Sequence, residues 1–393
     1  MEDVERMKVS FFCTNRYSSR EALDHPEWPV PRALYEPEAG LRSLEESLEQ
    51  VRLAEELGLD WISCSEHHYT PLRQTPNAVL FAAALSQVVR RPKIAVLGPL
   101  VSMNNPVRIA EEIAMLDQLT GGRLIVMFLR GTPNEFLSYG VNPDETRART
   151  QEASLLIIRA LTEAQPFGWE GRFYRFRTIS VWPGPIQRPH PPIFYSGNSF
   201  ESATFAAARR MGLGVSFYPP HLVAQVMAHY RNECAKHGWQ PLAEQMLYRA
   251  FIGVGENDDE AATLQAAFFS SGSPRQLFRG RGAAVAPPAP PVPVTVGTEA
   301  DGKNTAADKS TIGFAFGTLQ FCGSPETVVK QITDFHEATG VGVIDLSFAG
   351  PGLSRDQTLK SMRLFGADVL PRIRHLGAGA SGGKQTALAA AGS

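Results

Sequence analysis

Residues 93–129 read KIAVLGPLVSMNNPVRIAEEIAMLDQLTGGRLIVMFL, and this stretch decides the fold. Two apolar runs, Lys93–Val101 and Arg123–Leu129, are separated by an amphipathic stretch over Pro106–Leu119. The proline that opens this stretch suits the first turn of a helix, where its missing N–H leaves no hydrogen bond unmade, and Gly121 follows its end. The segment therefore predicts a strand, a helix and a second strand, the repeating unit of a parallel β-sheet.

The same alternation continues along the chain. Six further strands are predicted over Val9–Cys13, Trp61–Ser65, Pro192–Tyr195, Gly214–Tyr218, Leu247–Val254 and Val343–Phe348. Further helices are predicted over Leu41–Leu57, Ala78–Val89, Asp144–Thr162, Phe200–Met211, His221–His237, Asp258–Phe269, Pro325–Thr339 and Asp356–Leu370.

Eight strands separated by helices predict an α/β fold, a (β/α)8 TIM barrel with insertions, as one domain over residues 1–376. An open doubly wound sheet is the main alternative, because a strand count alone does not prove closure. The first predicted strand is not followed by G-x-G-x-x-G, and the chain has no G-K-[ST] phosphate loop. Both absences argue against a nucleotide-binding open sheet.

Insertions interrupt the alternation. Residues 15–40 predict a long first loop, and the aromatic-rich residues 165–189 predict a small hairpin. Residues 270–311 are rich in Pro, Ala and Gly and are too long for an ordinary connection, so they predict a lid or a disordered segment. The Gly- and Ala-rich residues 377–393 predict a flexible tail.

Charge and cysteine usage exclude several classes of function. The 38 basic and 40 acidic residues give a net charge of −2, which creates no field for nucleic acid or an anionic membrane. The four cysteines are widely spaced, so no metal site is expected. The amino end lacks a secretory signal, and no apolar run approaches the ~18 residues of a membrane span. A cytoplasmic protein is therefore expected.

Polar residues follow the second predicted strand, at the end of a barrel where active sites lie. Strand alternation puts His67 on the same face as Ser63 and Ser65, with Glu66 and His68 on the opposite face. His67 is a candidate general acid or base near neutral pH. A histidine that only makes a loop hydrogen bond fits the pattern equally well.

Three other strand ends carry candidate ligand contacts. Leu100 and Val101 could line a flat aromatic ligand with Asn104 as an amide contact, although plain packing fits at least as well. Arg130 follows the fourth strand, where a guanidinium suits a phosphate or a salt bridge to a loop carboxylate. Gly197 allows close backbone approach, and Ser199 suits the N-cap of a helix whose first N–H groups bind anions.

Six motifs in order resemble those of the bacterial-luciferase-like flavin-dependent monooxygenases over about Lys8–Leu370. They are Glu66-His67-His68-Tyr69, Asn105-Pro106-Val107-Arg108 with Ala110-Glu111-Glu112, Leu116-Asp117 with Gly122-Arg123, Arg130-Gly131, Pro189-His190-Pro191-Pro192-Ile193 and Gly323-Ser324-Pro325-Glu326.

The resemblance implies a (β/α)8 barrel that uses reduced FMN, delivered by a separate flavin reductase, and O2. The implied reaction oxidises a small organic substrate through a C4a-peroxyflavin, which His67 supports. Residues implied to bind the flavin phosphate are Arg130, Asn198, Ser199 and Ser202, beside Gly197. Residues implied to surround the isoalloxazine ring are Leu100, Val101 and Asn104.

Departures from the family pattern leave alternatives open. Leu129 stands where luciferase has a cysteine, and Asn198 stands where it has a glutamate. A deazaflavin-dependent oxidoreductase and a non-catalytic flavin-binding subunit remain as other readings. The resemblance also implies a homodimer. Aromatic residues in the first loop, with Phe217 and Tyr218, favour an apolar or aromatic substrate.

Overall fold

A closed eight-stranded parallel barrel forms the centre of the molecule. The computed structural model describes residues 6–272, 276–277 and 319–377. In chain order the strands are β1 Lys8–Phe12, β2 Trp61–Cys64, β3 Lys93–Leu100, β4 Leu124–Leu129, β5 Phe167–Glu170, β6 Arg175–Ile179, β7 Ile193–Ser196, β8 Gly212–Ser216, β9 Met246–Val254, β10 Phe321–Gly323 and β11 Val343–Ser347.

The barrel closes through eight of these strands in the order β9-β11-β1-β2-β3-β4-β7-β8, and a pairing of β8 with β9 completes the ring. Every pairing in the ring is parallel. Closure confirms the predicted TIM barrel and rules out the open sheet. The short β10 adds to β9 outside the ring, and β5 and β6 form the predicted hairpin as a separate antiparallel pair.

Helices surround the barrel. They are α1 Arg20–Leu23, α2 Pro37–Glu56, α3 Ala78–Val88, α4 Pro106–Thr120, α5 Pro133–Ser138, α6 Thr146–Thr162, α7 Phe200–Ala207, α8 Pro220–Lys236, α9 Asp258–Phe268, α10 Pro325–Thr339, α11 Arg355–Leu364 and α12 Leu370–Ile373. A π-helix over Phe365–Val369 joins the last two. None of the helices in the described ranges is long and apolar enough to span a membrane.

Local sequence explains the central β3-α4-β4 unit. The Asn105 side chain caps α4 by accepting the N–H of Val107 at 2.9 Å, and Pro106 occupies the first turn. Gly121 ends the helix in the left-handed region, at φ 65°, which glycine adopts without steric cost. β4 is buried along almost its whole length, as expected for a strand with helices outside and a filled barrel inside.

The barrel interior has an apolar layer and a polar layer. The apolar layer is formed mainly by Trp61, Ala95, Leu97, Ile125, Met127, Phe194, Leu247 and Val343. The polar layer lies two residues further along β9 and β11, where Arg249 Nε donates to Asp345 Oδ2 at 2.7 Å. Ser63 Oγ donates to Asp345 Oδ1 at 2.6 Å, which confirms that the Ser63 face of β2 points into the barrel.

One predicted boundary needs correction, one helix was not predicted, and two predicted segments lie largely outside the described residues. The first loop is shorter than 15–40, because α2 begins at Pro37 and both α1 and a 3-10 turn over Arg32–Leu34 lie within the loop. The helix α5 was not predicted, since its six residues are too few to give a clear period. Of residues 270–311 only 270–272 and 276–277 are described, so the predicted lid or disordered segment lies largely outside the described residues, as do residues 378–393 of the predicted tail.

Candidate active site

The carboxyl ends of the strands bring His67 against a buried carboxylate. His67 Nδ1 lies 2.9 Å from Glu135 Oε1, although 68 positions separate the two residues. The His67 side chain is 16% exposed, whereas that of Glu135 is 1% exposed. A carboxylate on Nδ1 fixes the orientation of an imidazole and leaves Nε2 to face a ligand or solvent. His67 is therefore held by a partner that sequence reasoning did not identify.

The connection from β4 to α5 positions Glu135. Its Oε2 accepts the main-chain N–H of Thr132 at 2.8 Å and also contacts the Thr132 hydroxyl. This is one half of the capping-box pattern, in which an acidic residue three positions after a Ser or Thr reaches back to the N-cap. The spacing Thr132-x-x-Glu135 was the sequence signal that could have found the residue.

Hydrogen bonds determine the charge state of Glu135. Burial raises the pKa of this carboxyl, but hydrogen bonds from His67 and Thr132, together with the charge of His67, outweigh burial and hold the pKa below its ordinary value of 4.5. A depressed folded-state pKa means that the ionised form stabilises the fold. That stabilisation is present above about pH 4.5 and is lost as the pH falls through the lower folded-state pKa.

We expect Glu135→Gln to lower the free energy of unfolding by about 1–3 kcal/mol at pH 7, because it removes a buried charged acceptor. The loss should shrink as the pH is lowered from 7 to about 3, toward the folded-state pKa of Glu135, which lies below 4.5. Urea unfolding at both pH values measures the difference, with the exposed Glu38→Gln as a matched control. An equal loss at both pH values would show that the carboxylate charge has no part in the contact.

Glu66 and His68 form a second buried pair on the other face of the β2 end, as the alternation predicted. His68 Nε2 lies 3.2 Å from Glu66 Oε1, and Tyr139 Oη lies 3.5 Å from His68 Nδ1. The indole of Trp28 donates to the main-chain carbonyl of His68 at 2.9 Å. These contacts fix the loop that follows β2, and they leave His67 as the histidine of this loop that lies at the barrel mouth.

The β3 end is apolar and rigid. Leu100 and Val101 are fully buried, and the Asn104 amide Nδ2 donates to the carbonyl of Leu100 at 3.1 Å. The N–H of Val101 donates to the carbonyl of Leu129, which ties the end of β3 to β4. Asn104 thus reinforces the turn with its amide nitrogen. The ring contact predicted for these residues remains a prediction.

Arg130 and the residues around Ser199 lie at the ends of neighbouring strands. Phe128 pairs with Tyr195 in the β4–β7 register, so Arg130 lies level with Gly197. Ser199 is the N-cap of α7 and accepts the N–H of Ser202 at 3.3 Å. The two serine hydroxyls lie 3.1 Å apart. Capping alone would use Ser199 in the same way, so the cap is confirmed and the anion site stays a prediction.

Gly197 and Asn198 shape this turn. A Cβ on Gly197 would lie 2.1 Å from Cβ of Ser202, so α7 can begin here only because position 197 is glycine. The Asn198 side chain is engaged on both sides with Ser216, donating to its carbonyl at 3.1 Å and accepting its N–H at 3.2 Å. The Asn198 amide therefore joins the ends of β7 and β8, and the phosphate contact predicted for this residue remains a prediction.

A second arginine, not predicted from the sequence, lies in this region. Arg147 forms a salt bridge of 2.9 Å with Glu201 in the first turn of α7. Burial raises the pKa of Tyr195 to about 12, while the positive charges of Arg147 and Arg130 act in the opposite direction. Both guanidinium groups are thus close enough to Tyr195 to influence its ionisation.

Comparisons with known proteins agree with the barrel and with the family resemblance. A family model described as "Luciferase-like monooxygenase" matches residues 7–341. The FMNH(2)-dependent dimethylsulfone monooxygenase of Pseudomonas putida is 29% identical over 279 residues, covering 69% of this chain and 72% of the relative. The chain spans 56%, 72% and 62% of the length of three curated relatives that it matches.

Two solved structures give the same fold. The monooxygenase RslO1 from Streptomyces bottropensis has a TM-score of 0.71 and 25% identity, covering 93% of this chain and 99% of that chain. An F420-dependent secondary alcohol dehydrogenase has a TM-score of 0.66 and 16% identity, covering 94% of this chain and 99% of that chain. The second likeness concerns the fold alone.

Proposed function

The chain belongs to the luciferase-like monooxygenase family, and from this premise we propose that it is the oxygenase component of a two-component flavin monooxygenase. It takes reduced FMN from a separate flavin reductase and uses O2 to oxidise a small organic substrate. A relative described as FMNH(2)-dependent and another described as an oxygenase component support this assignment.

One observation carries the proposal. Arg130 begins the connection from β4 to α5, and Glu135 lies in the first turn of α5. Glu135 Oε1 lies 2.9 Å from His67 Nδ1. A single connection therefore links the candidate phosphate ligand with the candidate proton-handling residue. An enzyme that must fix both ends of one flavin at the same barrel mouth needs this arrangement.

The residues at the ends of β4 and β7 fit the phosphate of FMN. The donors are the guanidinium of Arg130, the hydroxyls of Ser199 and Ser202 and the first N–H groups of α7. A helix N-terminus and a guanidinium both favour a dianionic group. Arg147 also lies beside the first turn of α7, where its charge is paired with that of Glu201.

The neighbouring part of the mouth, at the ends of β3 and β2, suits the isoalloxazine ring. Leu100 and Val101 provide buried apolar surface, and His67 lies on the next strand in the ring order. Bound reduced FMN supplies the electrons and the C4a position at which O2 is activated. In the proposed mechanism His67 Nε2 donates or accepts a proton at that edge while Glu135 stabilises the charged imidazolium.

In this proposal the buried residues Gln276 and Leu277 cover the His67–Glu135 pair and limit the access of water to it. The side-chain amide nitrogen of Gln276, Nε2, donates to the carbonyls of Leu23 at 3.0 Å and His25 at 2.7 Å. The carbonyl of Leu277 accepts a hydrogen bond from the Thr132 hydroxyl at 3.2 Å, and the same hydroxyl contacts Glu135. A site that activates O2 must keep water from its reactive centre, and this cover supports that function.

Anaerobic titration followed by mixing with O2 tests the proposal. We expect reduced FMN to bind at least about tenfold more tightly than reduced F420, and we expect bound reduced FMN to react with O2 at a rate different from that of free reduced FMN. Flavin fluorescence and stopped-flow absorbance measure the two effects. Tighter binding of reduced F420 would replace the proposal with the second candidate below.

The second candidate is a deazaflavin-dependent oxidoreductase, because an F420-dependent secondary alcohol dehydrogenase has the same barrel fold and the fold does not distinguish the two cofactors. A non-catalytic flavin-binding subunit is a third reading, against which the Glu135-held His67 argues. Measured turnover with any substrate would exclude it. We also propose a homodimer, because Leu80 on α3 and Met115 and Leu119 on the adjacent α4 expose apolar side chains.

A further inference from the structure

Three arginines form a buried cluster inside the barrel mouth, on the side of β1, β2, β9 and β11. Arg16 follows β1, Arg73 lies on the loop that carries His67, and Arg249 lies on β9. The guanidinium carbons of Arg249 and Arg73 lie 3.6 Å and 5.2 Å from the ring centroid of Phe12. Arg249 is 4% and Arg73 is 7% exposed. We call these residues the arginine cluster.

Positive charge exceeds negative charge in the arginine cluster. Arg249 is paired with Asp345 at 2.7 Å. Within residues 6–272, 276–277 and 319–377, no carboxylate lies within salt-bridge distance of Arg73 or Arg16. Arg73 donates to the carbonyl of Leu72 at 2.6 Å, and Arg16 donates to main-chain carbonyls as well.

The excess charge is unfavourable in the absence of an anion. Burial, together with the positive charges of Arg249 and Arg16, lowers the pKa of Arg73 to about 9. Glu46 acts on Arg16 only at longer range. A buried cation without a paired anion costs free energy, so such an arrangement persists where function needs it.

Several buried donors on or beside the strands that carry the arginine cluster have no hydrogen-bond partner in the described part of the chain. They are Nη2 of Arg249, Nε of Arg16 and the hydroxyls of Ser65 and Ser347. Ser65 follows β2 and Ser347 ends β11, so both belong to the strands that carry the cluster. Buried donors are almost always satisfied, and a ligand with anionic oxygens would satisfy these.

Arg73 opens onto an otherwise largely apolar cavity of about 70 Å³. Its walls include the rings of Phe251, Phe268 and Phe269, with Leu277 at its edge. Phe217 stacks on Phe251 at 4.4 Å between ring centroids. Apolar walls with one directed polar contact are typical of a small-molecule site. The cavity adjoins the His67–Glu135 pair. Leu277 lines the cavity and its carbonyl accepts the hydroxyl of Thr132, and this hydroxyl also contacts Glu135.

We propose that the substrate of this enzyme is an aromatic carboxylate, whose anionic head is bound by Arg73 of the arginine cluster and whose ring lies among Phe251, Phe268 and Phe269. The proposal rests on the proposed function and makes the expected aromatic substrate an anion. Arg249 and Ser347 lie deeper, where they orient the head group through their unpartnered donors.

Binding of benzoate and of its neutral isostere benzamide, measured by calorimetry with and without reduced FMN under anaerobic conditions, tests the proposal. The native protein should bind benzoate more tightly than benzamide by about tenfold to a hundredfold. Arg73→Met should abolish that preference and leave the affinity for reduced FMN unchanged. Arg90→Met, at an exposed position at the amino end of the barrel, is the matched control and should retain the preference. Benzenesulfonate distinguishes a carboxylate site from a general anion site. If benzenesulfonate binds as tightly as benzoate, the carboxylate assignment is overturned.

Thermal unfolding separates a ligand-binding role of Arg73 from a structural one. Because Arg73 is a buried cation without a paired carboxylate in the described residues, Arg73→Met should leave the Tm of the ligand-free protein unchanged or raise it. A lowered Tm, or equal binding of benzoate and benzamide by the native protein, overturns the inference. A benzoate preference without binding of reduced FMN would contradict the proposed function and leave the anion site standing.

Discussion

Replacing His67 by glutamine should lower kcat for substrate oxidation by about a hundredfold to ten-thousandfold, which is the range for loss of a positioned general acid or base. The imidazole is the partly exposed member of a pair whose other member, Glu135, is buried and ionised. Glutamine keeps a donor near Glu135 but transfers no proton at the mouth. The affinity for reduced FMN should change by no more than about twofold, because His67 is not among the proposed phosphate ligands.

Steady-state turnover and anaerobic titration of the same His67→Gln preparation separate these two effects. His237→Gln is the matched control, because His237 is exposed at the carboxyl end of α8, at the amino face of the barrel. It should behave as the native protein does. A His67→Gln enzyme that retains native kcat would remove His67 from the mechanism and leave Glu135 with a structural role.

Arg130→Ala should raise the Kd for reduced FMN by about tenfold to a hundredfold, the value of a charge-assisted hydrogen bond to a phosphate. The affinity for reduced riboflavin, which lacks the phosphate, should stay within about twofold of native, because the ring contacts are unchanged. Comparing reduced FMN with reduced riboflavin isolates the contribution of the phosphate to the binding free energy of each variant.

Anaerobic fluorescence titration with both flavins measures the effect of Arg130→Ala. Arg90→Ala is the matched control, since Arg90 is an exposed arginine that precedes β3 at the opposite end of the barrel. If Arg130→Ala weakens both flavins equally, the residue shapes the mouth and does not contact the phosphate. If it weakens neither, the phosphate lies elsewhere.

Local pattern was sufficient to predict the strands and helices of the barrel, but not its closure. The apolar run of β4 and the Asn105-Pro106 start of α4 both act within a few residues, so their structure follows from neighbouring sequence. Ser199 was recognisable as an N-cap for the same reason. The candidate ligands of the flavin were named through the motifs, and their placement on neighbouring strand ends then followed from closure.

Contacts between distant strands could not be predicted in this way. His67 and Glu135 meet only because β2, β3 and β4 lie side by side in the ring. Arg249 and Asp345 are 96 positions apart, and each stands alone in an apolar run. A charged residue in the middle of a buried strand was the available signal for the polar layer, because such a residue must find a partner inside the barrel.

The structure of the complex with reduced FMN, determined by diffraction from crystals prepared without O2, tests the central claim most directly. We predict that the phosphate lies between the Arg130 guanidinium and the first turn of α7 at Ser199, with the isoalloxazine edge facing His67 Nε2. A phosphate bound away from both Arg130 and Ser199, or a ring whose reactive edge faces away from His67, would contradict the account.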